Sequence, residues 1–173
     1  MTIDRLAVLL LAVSSLAASP SAAQDHATMD HAAHQAAPPA GNDSAFRALQ
    51  QRGKGTMGVD QVASRHRFED LPEGGRIELQ MREADSAGIA TIRAHLRETA
   101  RQFTAGIFSA PEATHAMTVP GTTVMAAKKG KIQYAYHDLP QGGEVRITTT
   151  DAEALAAVRE FLAFQRSDHR TGG

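Results

Sequence analysis

Histidine and methionine carry the chemical potential of this chain: eight and six of them in 173 residues, with no cysteine and no tryptophan. Imidazole nitrogen suits copper, zinc and nickel, whereas thioether sulfur is soft and favours Cu(I). Four of these side chains, His26, Met29, His31 and His34, fall within nine residues. They lie in a stretch, 24–43, of Ala, His, Gln, Pro and small polar residues. Such a segment buries too little apolar surface to offset its ordering entropy, which predicts a mobile tail. Imidazole and thioether together in a mobile segment form the composition expected for capturing copper in either oxidation state.

A second candidate depends on processing. Residues Met1 to Arg5, an apolar run from Leu6 to Ala18 and then Ser21-Ala22-Ala23 form the three-part pattern of a cleaved secretory signal. The run is shorter than the roughly 20 apolar residues of a membrane span. The chain is therefore expected to be periplasmic or secreted, with residues 1–23 removed and no stable membrane span left. A cut after Ala23 exposes Gln24-Asp25-His26, whose free amine, two backbone amides and imidazole can surround Cu(II) or Ni(II) in a square plane.

The remaining histidines are His66, His95, His115, His137 and His169. An internal duplication sorts them. Phe68-Glu69-Asp70-Leu71-Pro72-Glu73-Gly74-Gly75 recurs as Tyr136-His137-Asp138-Leu139-Pro140-Gln141-Gly142-Gly143. In that alignment His66 and Phe68 match Tyr134 and Tyr136, and His95 matches Phe161 across a two-residue gap. The first half thus places imidazoles where the second places aromatic rings. His66, His95 and His115 are expected to converge, with Met117 or Met125 as a soft ligand. His169 extends the stripe of the last helix by one turn. That set suits copper better than zinc, for which thioether is a poor ligand. Haem held by His115 or His95 is the alternative, and without Cys-x-x-Cys-His it would be non-covalent. His137, at the hairpin and opposite Tyr136, reads as a solvated turn residue.

Positioning these side chains requires elements. Period-2 alternation on either side of each Pro/Gly turn predicts a hairpin. Each hairpin leads into a helix behind a capping acid. Asp85 precedes Ile89, Ile92, Leu96, Ala100 and Phe103; Asp151 precedes Leu155, Val158, Leu162 and Gln165. The expected fold is α+β: duplicated strand-turn-strand-helix units forming an antiparallel sheet of four or five strands with two helices on one face. The fifth strand is Thr122 to Ala127. A short helix over 44–52, capped by Ser44 and stopped by Gly53, precedes the domain, so that 24–56 is tail and 57–173 is a single domain.

Several stretches resemble a group of small exported bacterial proteins. They are Met57-Gly58-Val59-Asp60-Gln61 with His66-Arg67-Phe68, then Ile92-Arg93-Ala94-His95-Leu96, then Gly106 to Pro111 with His115, and Phe161 to Gly172. Members of this group often carry the label aspartate carbamoyltransferase. That enzyme has two α/β domains, about twice this length and a Ser-Thr-Arg-Thr phosphate loop, none of which this sequence offers. The resemblance places His66, His95, His115 and His169 in the shared pattern and implies no assigned chemistry for them.

Composition narrows the rest. Without cysteine there is neither a disulfide framework nor a thiolate site. A formal net charge of −1 with no basic stripe speaks against a nucleic-acid partner. The sequence has no Gly-x-Ser-x-Gly, no His-Glu-x-x-His and no phosphate loop. The reading is an exported metal-binding protein, copper first, acting in homeostasis or detoxification. Its alternatives are a haem-binding or redox protein and a small metal-dependent enzyme using the same histidines.

Overall fold

A computed structural model describes residues 40–171. The leader, the site at Gln24-Asp25-His26 and the tail residues His26, Met29, His31 and His34 lie outside the described residues. The chain runs α1 (Ala40–Met57), β1 (Ser64–Leu71), β2 (Gly74–Met81), α2 (Ser86–Thr104), α3 (Ser109–His115), α4 (Thr122–Ala127), a 3-10 turn at Lys129–Lys131, β3 (Ile132–Leu139), β4 (Gly142–Thr149) and α5 (Ala152–Asp168). The fold is α+β, with one four-stranded antiparallel sheet in the order β1-β2-β4-β3.

The duplication is a physical two-fold. Each hairpin residue has its counterpart 68 positions later (64 to 132, 74 to 142). The central strands pair Ile77 with Val145, Gly75 with Ile147 and Leu79 with Gly143, so the axis passes through the Ile77–Val145 pair. Two hydrogen bonds repeat across it: Met81 N–H donates to Gln141 O at 2.8 Å, and Thr149 N–H to Glu73 O at 2.9 Å.

Residues paired directly across strands share a sheet face. One face carries His66, Phe68, Ile77, Leu79, Val145, Ile147 and Tyr134, and both long helices lie on it. Gly75 lets Leu162 of α5 down onto the sheet, since a Cβ there would stand 2.1 Å from Leu162 Cδ1. Phe103 of α2 meets Tyr134 edge-on at 5.6 Å. The other face is polar, with Arg76 bridging Glu69 and Glu144.

The helices cross over. α2, which follows the first hairpin, packs mainly on β3 and β4, whereas α5, which follows the second, packs mainly on β1 and β2. Each helix sends an arginine to the hairpin it covers. Arg93 donates to Leu139 O and Gly142 O, and Arg166 to Phe68 O and the Asp70 carboxylate. Both expected caps are in place: Asp85 accepts from Ala87 N–H, and Asp151 from Glu153 and Ala154 N–H.

Two elements depart from the sequence expectation. Thr122 to Ala127 is helix α4 and not a fifth strand. Its β-branched start favours a strand, but Gly121 at φ 82° turns the chain into a helix that buries Thr122 and Met125 against the core, and the Thr122 hydroxyl donates to Val119 O. Helix α1 runs past Gly53 to Met57 and begins before Ser44. Packing overrides the local stop: Leu49 is buried, and Arg52 donates to Thr114 O of α3 at 2.8 Å. The helix ends instead at Gly58, φ 76°, where a glycine takes the left-handed conformation without strain.

Candidate functional site

Ser64, His66 and Phe68 point inward from β1 while Arg65 and Arg67 point out, so strict alternation buries His66. The C-cap of α5 presents His169, which is only 5% exposed. The two imidazoles stack with centroids 5.3 Å apart and 18° between planes, and Phe68 lies at 6.2 Å from the first ring and 5.4 Å from the second. His95 of α2 and Met57, the last residue of α1, join them around a cavity of about 70 Å³ completed by Phe103, Phe161 and Gln165. That is room for a few water molecules or a small ion with its ligands.

The hydrogen bonds assign tautomers. Nε2 of His66 stands 3.2 Å from Met57 Sδ, an approach that is attractive when Nε2 carries the hydrogen. Its Nδ1 then presents a lone pair, and that atom is buried with no partner among the described residues. Gln61 brackets His169: its amide N–H donates to His169 O at 3.1 Å, and its Oε1 lies 3.4 Å from the ring Nδ1. Thr99 donates its hydroxyl hydrogen to His95 O, so its oxygen accepts from His95 Nε2 at 3.4 Å.

Burial sets the charge. Desolvation first, then the neighbouring His95 and Arg82, pulls His66 from its usual range to about 4. Desolvation, then His66 and His115, pulls His169 to about 3 in spite of Asp168. Burial also lowers His95. His66 and His169 are thus neutral near pH 7, the form in which imidazole ligates metals.

His115 stands one ring further out, edge-on to His169 at 5.1 Å. Its Nδ1 lies 2.5 Å from Asp168 Oδ2 and its Nε2 3.1 Å from Gln165 Oε1. With both nitrogens engaged by α5, this side chain clasps α3 to α5. Gln165 then leaves its own Nε2 buried without a partner among the described residues, on a residue that lines the cavity.

The structure therefore gathers His66, His95 and His169 around one cavity and sets His115 beside it. Neither expected soft ligand lines that cavity. Met117 is 49% exposed and lines a separate hollow with His115 and Asp168, while Met125 is fully buried in α4. The thioether that does reach an imidazole is Met57, which a reading by domain boundaries passes over. It opens the Met57-Gly58-Val59-Asp60-Gln61 run, and that was the available signal. His137 is exposed on the polar face, within β3 opposite Glu144. Among the described residues, no three His, Asp or Glu side chains are set to hold a metal ion as they stand. No helix among these residues is long and apolar enough to cross a membrane.

The second half resolves the equivalent region differently. Tyr134 stands where the first half has His66, packed with Phe103, Phe108 and Phe161 in rings 4.5 to 6.4 Å apart, and Phe103 and Phe161 also line the histidine cavity. No protein-family model, curated protein or solved structure matches the chain.

Proposed function

We propose that this is an exported metal-binding protein that takes copper at His66 and His169, with Met57 and His95 completing the donor set. The observation that carries the reading is His66: a buried, neutral imidazole with an unpartnered nitrogen, stacked on a second neutral imidazole and touching a thioether. Neutral imidazole with thioether matches Cu(I) and, through the nitrogens, Cu(II), and it matches zinc poorly. Loading requires the His66 and His169 rings to turn from stacking so that their lone pairs converge, and the cavity beside them gives that motion room. Its size speaks against haem, since pockets that enclose ligands of drug size run to roughly 300–1,000 Å³.

In this reading residues 1–23 direct export, and His26, Met29, His31 and His34 capture copper that the domain then holds. Mass spectrometry of the mature N-terminus decides whether Gln24-Asp25-His26 adds a Cu(II) site, because a cut one residue away abolishes it.

The domain site is tested in a full chain carrying His26→Asn, Met29→Leu, His31→Asn and His34→Asn, so that the tail does not compete. Anaerobic Cu(I) titration against a chromophoric chelator is expected to give one ion per chain. A further His66→Ala, His169→Ala pair is expected to abolish that binding, and Met57→Leu to weaken Cu(I) more than Cu(II). Unchanged affinity in the folded double-alanine chain refutes the site.

A further inference from the structure

Outside the cavity, a groove of about 810 Å³ follows the start of β1 and the end of α5, with Phe46 and Gln50 of α1 as its far wall. His66 and His169 lie between cavity and groove and line both. We propose that this groove binds a small anion bearing a carboxylate or phosphate group, a function separate from the metal reading above.

Charge is the first reason. Arg65, Arg67, Arg82 and Arg170 line the groove and no Asp or Glu does, in a chain whose net charge is −1. The Arg65 side chain makes no hydrogen bond or ion pair with the other described residues, and the Arg82 side chain donates only its Nε, to Val62 O. Arg67 is partly neutralised by Glu69 at 3.0 Å. Guanidinium groups present forks of N–H donors that match carboxylate and phosphate oxygens.

Unmet hydrogen bonding is the second. The Thr171 hydroxyl is buried, belongs to a residue lining the groove, and lacks a partner among the described residues. Buried polar atoms are nearly always paired, so an orphan hydroxyl in the groove wall marks the place of something that pairs it. A hydroxyl donor fits an anionic oxygen.

Backbone conformation is the third. The turn after α5 puts Arg170 at φ 52°, where glycine is the inexpensive residue. Arginine there costs about 1–2 kcal/mol in handedness, yet it sets a guanidinium over the Phe46 ring at 4.2 Å, on the groove. The groove volume lies within the range of small-molecule sites.

The test uses the whole chain stripped of metal and titrated calorimetrically with inorganic phosphate and, separately, succinate. Saturable one-to-one binding of either is expected, weakening as salt rises, and the preferred probe tells phosphate from carboxylate ligands. Arg65→Gln with Arg82→Gln is expected to lower affinity at least tenfold, and Thr171→Val several-fold, with the fold unchanged by circular dichroism. Arg101→Gln with Arg159→Gln, the same loss of two charges at exposed helix positions outside the groove, is expected to leave affinity as it was. Absence of saturable binding with both probes overturns the proposal. So does an equal loss in the Arg101→Gln, Arg159→Gln pair, which would mean attraction to net charge alone. Because no metal is present, the outcome is independent of copper binding.

Discussion

Acid should unfold this protein through its buried imidazoles before it reaches the carboxylates. An imidazole with an ordinary value of 6.5 unfolded and about 4 folded, as for His66, binds more protons in the unfolded chain throughout that window. Stability is therefore full above about pH 7 and falls as pH drops through 6.5 toward 4. At 1.36 kcal/mol per pKa unit, His66 removes about 2 kcal/mol between pH 7 and pH 5, and His169, with about 3 folded, removes about 2 kcal/mol more. The two rings are neighbours, so the sum is an upper bound. Even half of it is a large share of a domain stability of roughly 5–15 kcal/mol. Urea unfolding followed by circular dichroism at intervals from pH 7.5 to 5 measures the slope. His66→Phe and His169→Phe, aromatic replacements of the kind the second half uses, should each flatten it by about one proton. A free energy that is level across this range, or phenylalanine variants with the parent's slope, would show that the rings are not held neutral by burial.

Two further changes probe the frame. Leu162→Ala removes a fully buried side chain seated over Gly75 and should cost about 2–5 kcal/mol in chemical denaturation. Asp151→Ala deletes the N-cap of α5 and the partner of Lys128, and should lower Tm by a few degrees.

Local signals carried the architecture far. The repeated Leu-Pro-x-Gly-Gly turn located both hairpins, because a tight turn between alternating strands has few chemical solutions. The acid-capped apolar stripes located α2 and α5. What could not be read locally is where those helices go: the same stripes are consistent with each helix covering its own hairpin or the other one. The misread strand at Thr122 and the helix end placed at Gly53 have the same origin, since packing against α5 and α3 outweighed propensity. In the site, His66, His95 and His169 were visible as imidazoles on apolar faces. Met57 was not, because its position follows from α1 docking on the rest of the domain, a tertiary fact with no periodicity of its own.

The crossed helices make the chain a swapped dimer folded onto itself. Neither half has a core without the other, so the two copies cannot drift apart in shape, only in the side chains at their two ends. The benzene rings of Phe103 and Phe161, one from each long helix, work as ballast, and they also form part of the wall of the histidine cavity. Beside that ballast the same wall holds imidazoles, a void and polar atoms without partners among the described residues. Duplication here let one copy of a position carry a benzene ring and the other an imidazole, and the fold sets both kinds of ring around a single void.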